Sequence, residues 1–88
     1  MTSKKEHGLQ ICVLSHGFIY VGNATTEDGW LTITAAKCVR RWGTRHGIGE
    51  LAANGPLPNT ILDEGGTIRA PLTALIHLLQ CDEEAWKR

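Results

Sequence analysis

Between Lys37 and Ala53 the chain gathers Lys37, Arg40, Arg41 and Arg45 around Trp42, then runs through Gly43, Gly47 and Gly49 into a short helical pattern, with no acid before Glu50. Guanidinium forks match phosphate oxygens in pairs, and an indole ring offers a stacking face. The chemistry this composition suits is anion recognition. The candidate ligand-binding residues are Arg40, Arg41, Trp42, Arg45, His46 and Gly47, beside the amino end of a helix starting near Gly47–Ile48, where unpaired N–H groups favour negative charge. On a strand, Arg40 and Arg41 point to opposite faces, so Arg40 shares a face with Trp42 while Arg41 is free to serve an interface. The plainer reading is a solvated surface whose arginine stems cover Trp42. The glycine spacing is neither G-x-G-x-x-G nor a Walker A, and no Lys-Ser/Thr follows it.

Other reactive residues point to little chemistry. Ser15-His16 with Asp28 or Asp63 contains the letters of a hydrolase triad, but neighbouring side chains on extended backbone point apart and no nucleophile elbow surrounds Ser15. A non-enzymatic protein is expected, with no cofactor. His7, His16, His46 and His77 form no H-x-x-x-H pattern, so no metal is expected, and His77 reads as a structural histidine on an apolar strand. Cys12, Cys38 and Cys81 are odd in number and lack a Cys-x-x-Cys pair, which predicts reduced, mostly buried thiols. Trp30, Trp42 and Tyr20 could stack a base at roughly 1–3 kcal/mol each. With one phenylalanine, one tyrosine and three tryptophans in the chain, at least two of these rings are expected inside, Trp30 first. Thr32, Thr34, Asn54, Asn59 and Thr60 could hydrogen-bond a base or ribose, although turn chemistry accounts for the asparagines equally well.

At 88 residues the chain forms one domain, burying roughly 60 to 65% of its extended surface. A hydrophobic fraction of 42% and a charged fraction of 20% describe an ordinary globular protein with a mainly aliphatic core. Nine basic and nine acidic residues cancel, which argues against a duplex-DNA coating protein. The apolar run Leu72–Leu79 is broken by His77 and is too short to cross a bilayer, and Met1-Thr-Ser-Lys-Lys-Glu lacks an apolar signal region, so the expected location is cytosolic.

The elements that must position these residues read as follows. Residues 1–8 form a flexible arm and 9–88 a single α+β domain. Leu9–Leu14 and Phe18–Gly22 make a hairpin around Ser15-His16-Gly17. A turn within Asn23–Gly29 precedes a strand from Trp30 to Thr34, and Ala35–Trp42 continues it past a kink, with helix as the competing reading. Ile48, Leu51 and Ala52 set a helix that stops at Asn54-Gly55-Pro56. Leu57–Leu62 enters a short strand, Asp63–Gly66 is a tight turn, and Thr67–Ala70 follows. Leu72–Gln80 is the last strand, with helix as runner-up, and Asp82–Arg88 is a short helix packed by Trp86. The sum is a small, curved, mainly antiparallel sheet of five to six short strands with one central helix and a short C-terminal helix. Its open edges predict a homodimer or higher homo-oligomer.

Taken together, Gly17-Phe-Ile-Tyr-Val-Gly22, Ala36-Lys-Cys-Val-Arg-Arg-Trp42, Gly49-Glu-Leu-Ala52 with Asn54-Gly55, and Leu78-Leu-Gln-Cys81 resemble a family of small bacteriophage and prophage accessory proteins. The likeness covers most of the chain beyond Leu9. It implies a phage origin, and with it a role in the bacterial cytoplasm as an antagonist of host antiviral defence that sequesters a phosphate-bearing nucleotide. The alternatives are an inhibitor of a host nucleic-acid-binding complex, presenting Asp82, Glu83 and Glu84, or a structural or morphogenetic phage protein.

Overall fold

A computed structural model describes residues 4–87. The part of the expected arm over Met1–Ser3 lies outside the described residues. From Lys5 onward the arm is strand, so that boundary is corrected: β1 spans Lys5–Leu14, and its first residues pair with β2, Lys5 opposite Thr26 and Glu6 opposite Thr25.

The remaining elements are β2 (Ile19–Glu27), β3 (Trp30–Arg41), α1 (Ile48–Asn54), β4 (Ile61–Pro71), β5 (Leu75–Gln80) and α2 (Glu83–Trp86). Short 3-10 turns, Ser15–Gly17 and Leu72–Ala74, join β1 to β2 and β4 to β5. The five strands form one antiparallel sheet in the order β4-β3-β2-β1-β5. Ala35–Arg41 is strand as expected, and the kink is real: Ala35 sits at φ 50, where the β2–β3 and β3–β4 registers both slip.

The expected turn within Asn23–Gly29 falls on Asp28 and Gly29 alone, because β2 continues to Glu27. A second turn expectation is corrected. Asp63–Gly66 is no turn at all: it lies within one continuous β4, where Glu64 pairs with Lys37 and Gly66 with Ala36. The glycine pair bends a strand instead of reversing it. Gly22 on β2 occupies the matching place, since a Cβ there would lie 2.6 Å from Ile33 Cγ2 and 2.8 Å from the Thr34 carbonyl. Gly22, Ala35 and Gly65–Gly66 therefore make a fold line across three strands, and irregular pairing of this kind increases strand bend and twist.

The connection from β4 to β5 shows how far the sheet curls. These strands are its two edges, and a flat sheet would hold them about 19 Å apart, four strand spacings. The 3-10 turn advances only about 2 Å per residue, so the curl must bring the edges close at this corner. The corner is clipped down by Leu72 N–H donating to the Gly29 carbonyl at 2.8 Å.

Each face of the curved sheet buries its own cluster. On one face Cys12, Leu14, Ala24, Leu31, Ile33, Ala36 and Ala70 pack with Tyr20, Ile68, Leu75 and Leu78. On the other Ile11, Val21, Val39 and Cys81 pack under Leu51 and Ala52 of α1 and Trp86 of α2. The helices hold each other: Trp86 Nε1 and Asp82 N–H both donate to the Ala52 carbonyl, at 3.1 and 2.9 Å. The largest fully buried side chains are Ile11, Leu31, Ile33, Leu51 and Cys12, an aliphatic set. The expectation that two of Trp30, Trp42 and Tyr20 fill the interior is corrected. Trp30 and Trp42 are 42% and 40% exposed, and Tyr20 is half-buried. The strands are also longer than the short ones expected, four of the five running 9–12 residues, and their aliphatic side chains fill the buried clusters without either of these two indoles. His77 is likewise exposed on the edge strand β5, not enclosed.

Candidate ligand-binding site

β3 ends in Arg40 and Arg41, and the chain then turns through Trp42, Gly43 and Thr44 toward α1. The turn is pinned from β4's side. Thr60 Oγ1 donates to the Trp42 carbonyl at 2.6 Å and accepts from Leu57 N–H at 2.9 Å. Gly43, at φ +68, lies so close to residues 59–60 that a Cβ would stand 2.4 Å from the Asn59 carbonyl carbon and from Thr60 N. Only glycine tolerates both the left-handed backbone and that approach.

The sheet register decides what happens to the cations. Asp63 pairs with Cys38 and Glu64 with Lys37, which puts an acid beside Lys37 and Arg40 but none opposite Arg41, whose partner is Ile61. Arg40 Nε meets Asp63 Oδ2 at 2.9 Å and Nη2 meets Oδ1 at 3.4 Å, while Lys37 Nζ lies 3.8 Å from Glu64 Oε1. All four side chains are close to half-exposed or more, and ion pairs of that kind contribute about 0–1 kcal/mol. Arg41 and Arg45 are exposed and make no ion pair among the described residues. His46 is exposed, and its backbone N–H donates to Glu50 Oε2 at 3.1 Å. Gly47 is the N-cap of α1, at φ 93. Glu50 thus reaches back past the N-cap of this seven-residue helix to the residue before it, while Gly47 itself offers no side-chain cap. Of the six sequence candidates, Arg41, Trp42 and Arg45 keep exposed functional surface, Arg40 is shared with Asp63, His46 is tied through its backbone to Glu50, and Gly47 is the N-cap of α1.

A second feature lies beside the start of β2, and of its aromatic residues sequence reasoning considered only Tyr20. Ser15, His16, Phe18, Tyr20, Ile68 and Arg69 are among the residues lining a cleft of about 230 Å³. The Phe18 and Tyr20 rings are parallel, 4° between planes and 6.5 Å between centroids, and Phe18 is 54% exposed. Arg69 stacks its guanidinium 4.7 Å from the centroid of the Trp30 ring. The signal available in the sequence was the aromatic pair two residues apart directly after the Gly17 turn.

Comparison with protein-family models and with curated protein sequences finds no match. The site is accordingly read from its own chemistry.

The remaining polar groups are structural. Asp82 accepts from Glu84 N–H and Ala85 N–H at 3.1 and 3.4 Å, capping α2. The three cysteines are free thiols. Burial pushes the Cys12 thiol up to about 12, with a further contribution from Cys81, and pushes the Cys81 thiol up to about 11 against a hydrogen bond from the Ile11 backbone. Neither is a nucleophile near neutral pH. Among the described residues, no group of three or more His, Cys, Asp or Glu side chains could hold a metal ion, and no helix is long and apolar enough to cross a membrane.

Proposed function

We infer that this is a non-enzymatic binding protein for a phosphate-bearing ligand, a nucleotide by class, held through Arg41, Arg45 and the exposed ring of Trp42. The carrying observation is that Arg41 and Arg45, exposed on either side of the 40%-exposed Trp42 in the chain, have no ion-pair partner among the described residues. Arg40 joins them when phosphate competes for it, because an exposed pair such as Arg40–Asp63 is weak. Charge-assisted, forked hydrogen bonds from arginine are the strong contacts in such a site, and the ring adds stacking. Binding by occupancy requires affinity and slow release, not a general acid or base.

The resemblance to phage accessory proteins supplies the setting: a protein of the host cytoplasm that antagonises antiviral defence by sequestering a signalling nucleotide, acting as a homo-oligomer joined through a sheet edge. The reading in which the acids near Asp82 mimic nucleic acid is weaker, because the Asp82 carboxylate is spent on capping α2.

Thermal melting with cyclic dinucleotides, NAD-derived nucleotides and single-stranded oligonucleotides tests the proposal. A ligand at 100 times its Kd should add about 2.7 kcal/mol, a rise of roughly 10 °C or more for a domain of this size. Arg41→Glu with Arg45→Glu should remove that rise while leaving the unliganded melting within about 0.5 kcal/mol of the parent. Absence of a shift with all three ligand classes would sink the nucleotide reading and leave a protein partner.

A further inference from the structure

We propose that the cleft between the turn Ser15–Gly17 and the second half of β4 seats a nucleobase, with Phe18 and Tyr20 as its stacking platform. This deepens the nucleotide reading and rests on it, naming the part of the ligand that the arginines do not hold.

Three independent properties of the cleft point to a flat ring carrying negative charge outside it. The first is shape. Phe18 and Tyr20, two residues apart, present parallel rings with centroids 6.5 Å apart. Phe18, the chain's only phenylalanine, leaves 54% of its surface in water. An exposed aromatic platform of this kind is what proteins use to stack bases, and it works for any base because every base has a π-face.

The second is size. At about 230 Å³ the cleft exceeds the roughly 150 Å³ of an apolar cavity that takes up benzene. It falls short of the roughly 300 Å³ at which sites for whole drug-sized ligands begin. A bicyclic base fits, and its ribose and phosphate stay outside.

The third is charge. Among the described residues no carboxylate lines the cleft, while Ser15 and His16 belong to its wall and the Arg69 guanidinium, stacked on Trp30, lies beyond it. His16 holds a left-handed backbone, φ 65 and ψ 20, a conformation that costs energy and recurs at ligand clamps.

The sheet register links this cleft to the arginines. Tyr20 pairs with Cys38, so the Tyr20 side of the cleft lies about one strand spacing of 5 Å from β3, two residues before Arg40. On β3 Arg40 shares the face of Cys38 and Tyr20 while Arg41 takes the opposite one, so Arg40 is the β3 arginine that a phosphate leaving the cleft would approach first.

The test is an amide NMR titration of the full chain with four probes: adenosine, AMP, pyrophosphate and a short oligodeoxyadenylate. The parent protein and the variants Phe18→Ala, Phe18→Tyr and Arg41→Glu/Arg45→Glu are compared. Phe18 is exposed, so its replacement leaves the fold intact, which the unliganded spectrum verifies. Adenosine and AMP are expected to move the amides of residues 15–20 and 68–70. Phe18→Ala should weaken AMP roughly 5- to 150-fold, the worth of one stacked base, Phe18→Tyr should restore it, and pyrophosphate should bind both alike. AMP that binds Phe18→Ala as tightly as the parent overturns the cleft, and if it still needs Arg41 and Arg45 the arginine reading survives alone. Adenosine and AMP that bind equally, with no effect of the arginine changes, keep the cleft and sink the arginine reading. Binding of the oligonucleotide without AMP, moving the same amides, supports the cleft and identifies single strands as the source of the base. Amides 15–20 and 68–70 unmoved by every probe overturn the proposal.

Discussion

Thr60 shows how much one hydroxyl can organise. It ties the end of β3 at Trp42 to the loop at Leu57, and Gly43 completes the contact by letting two backbones touch. Replacing Thr60 with Val should cost about 1–2 kcal/mol by removing the donor to one carbonyl and the acceptor for one N–H. Gly43→Ala should cost more, above about 2 kcal/mol, because the added methyl meets backbone at 2.4 Å on a left-handed residue. Urea unfolding of the two variants gives the order, and Gly43→Ala proving the milder change would refute this account of the contact. The buried thiols make a separate prediction. Their folded values lie near 12 and 11, above an unfolded thiol near 8.5. The stability they contribute is complete below about pH 8.5, and it declines as pH rises through about 11 and 12, because the unfolded chain ionises first. Unfolding free energies measured from pH 7 to 11 should fall accordingly. At pH 8 a thiol reagent should label the half-buried Cys38 well before Cys12 and Cys81.

Strands and helices in this chain are shaped by where glycine lets backbones approach. Residues 63–66 have the composition of a tight turn, yet they form the bend of β4, because Gly65 packs over Ala36 with an added Cβ only 3.3 Å from its carbonyl oxygen. Turn chemistry and strand-bend chemistry use the same letters, and only the neighbouring strand tells them apart. The helix stop at Asn54-Gly55 needed no such context, since Gly55, at φ 77, ends α1 and donates its N–H to Leu51. Asp82 is the clearest cap in the chain, accepting two N–H bonds at the start of α2. Asp82→Ala should cost about 1 kcal/mol and loosen Trp86 from the Ala52 carbonyl, a change visible as a shift in tryptophan emission. A variant with unaltered melting and emission would show that α2 docks through Ala85 and Trp86 alone.

The sheet as a unit has two edges of different character. β4 carries Asp63, Glu64, Arg69 and a terminal Pro71, the charges and proline that discourage further pairing. β5 is Leu75-Ile-His-Leu-Leu-Gln80, with no Asp, Glu, Lys, Arg or Pro, and Ile76 is 61% exposed. If the chain self-associates as proposed, antiparallel pairing of β5 with its two-fold mate is the contact that satisfies an unguarded edge. Ile76→Arg should then convert the assembly to monomer in light scattering while keeping the same circular dichroism. A parent protein that is monomeric at high concentration, or a variant that stays assembled, would exclude this edge.

What could be read from the letters alone was whatever depends on near neighbours: the β-branched runs, the Asp28-Gly29 reversal, the kinked strand through Ala35, the end of α1, and an aliphatic core around which aromatic residues are few. The isolated basic segment was legible too, but not its state. Arg40 finds its acid 23 residues away because β3 and β4 pair in one register, and a shift of a single residue would send Asp63 to the opposite face. The stacking of Arg69 on Trp30 likewise follows from the β3–β4 register, and the shared cleft of Phe18 and Ile68 from the fold that brings residues 50 apart in the chain to one wall. Local composition encodes torsions and caps. Which charges are neutralised and which rings face water is set by contacts between strands far apart in the chain, so those facts emerged only once the folded sheet was known.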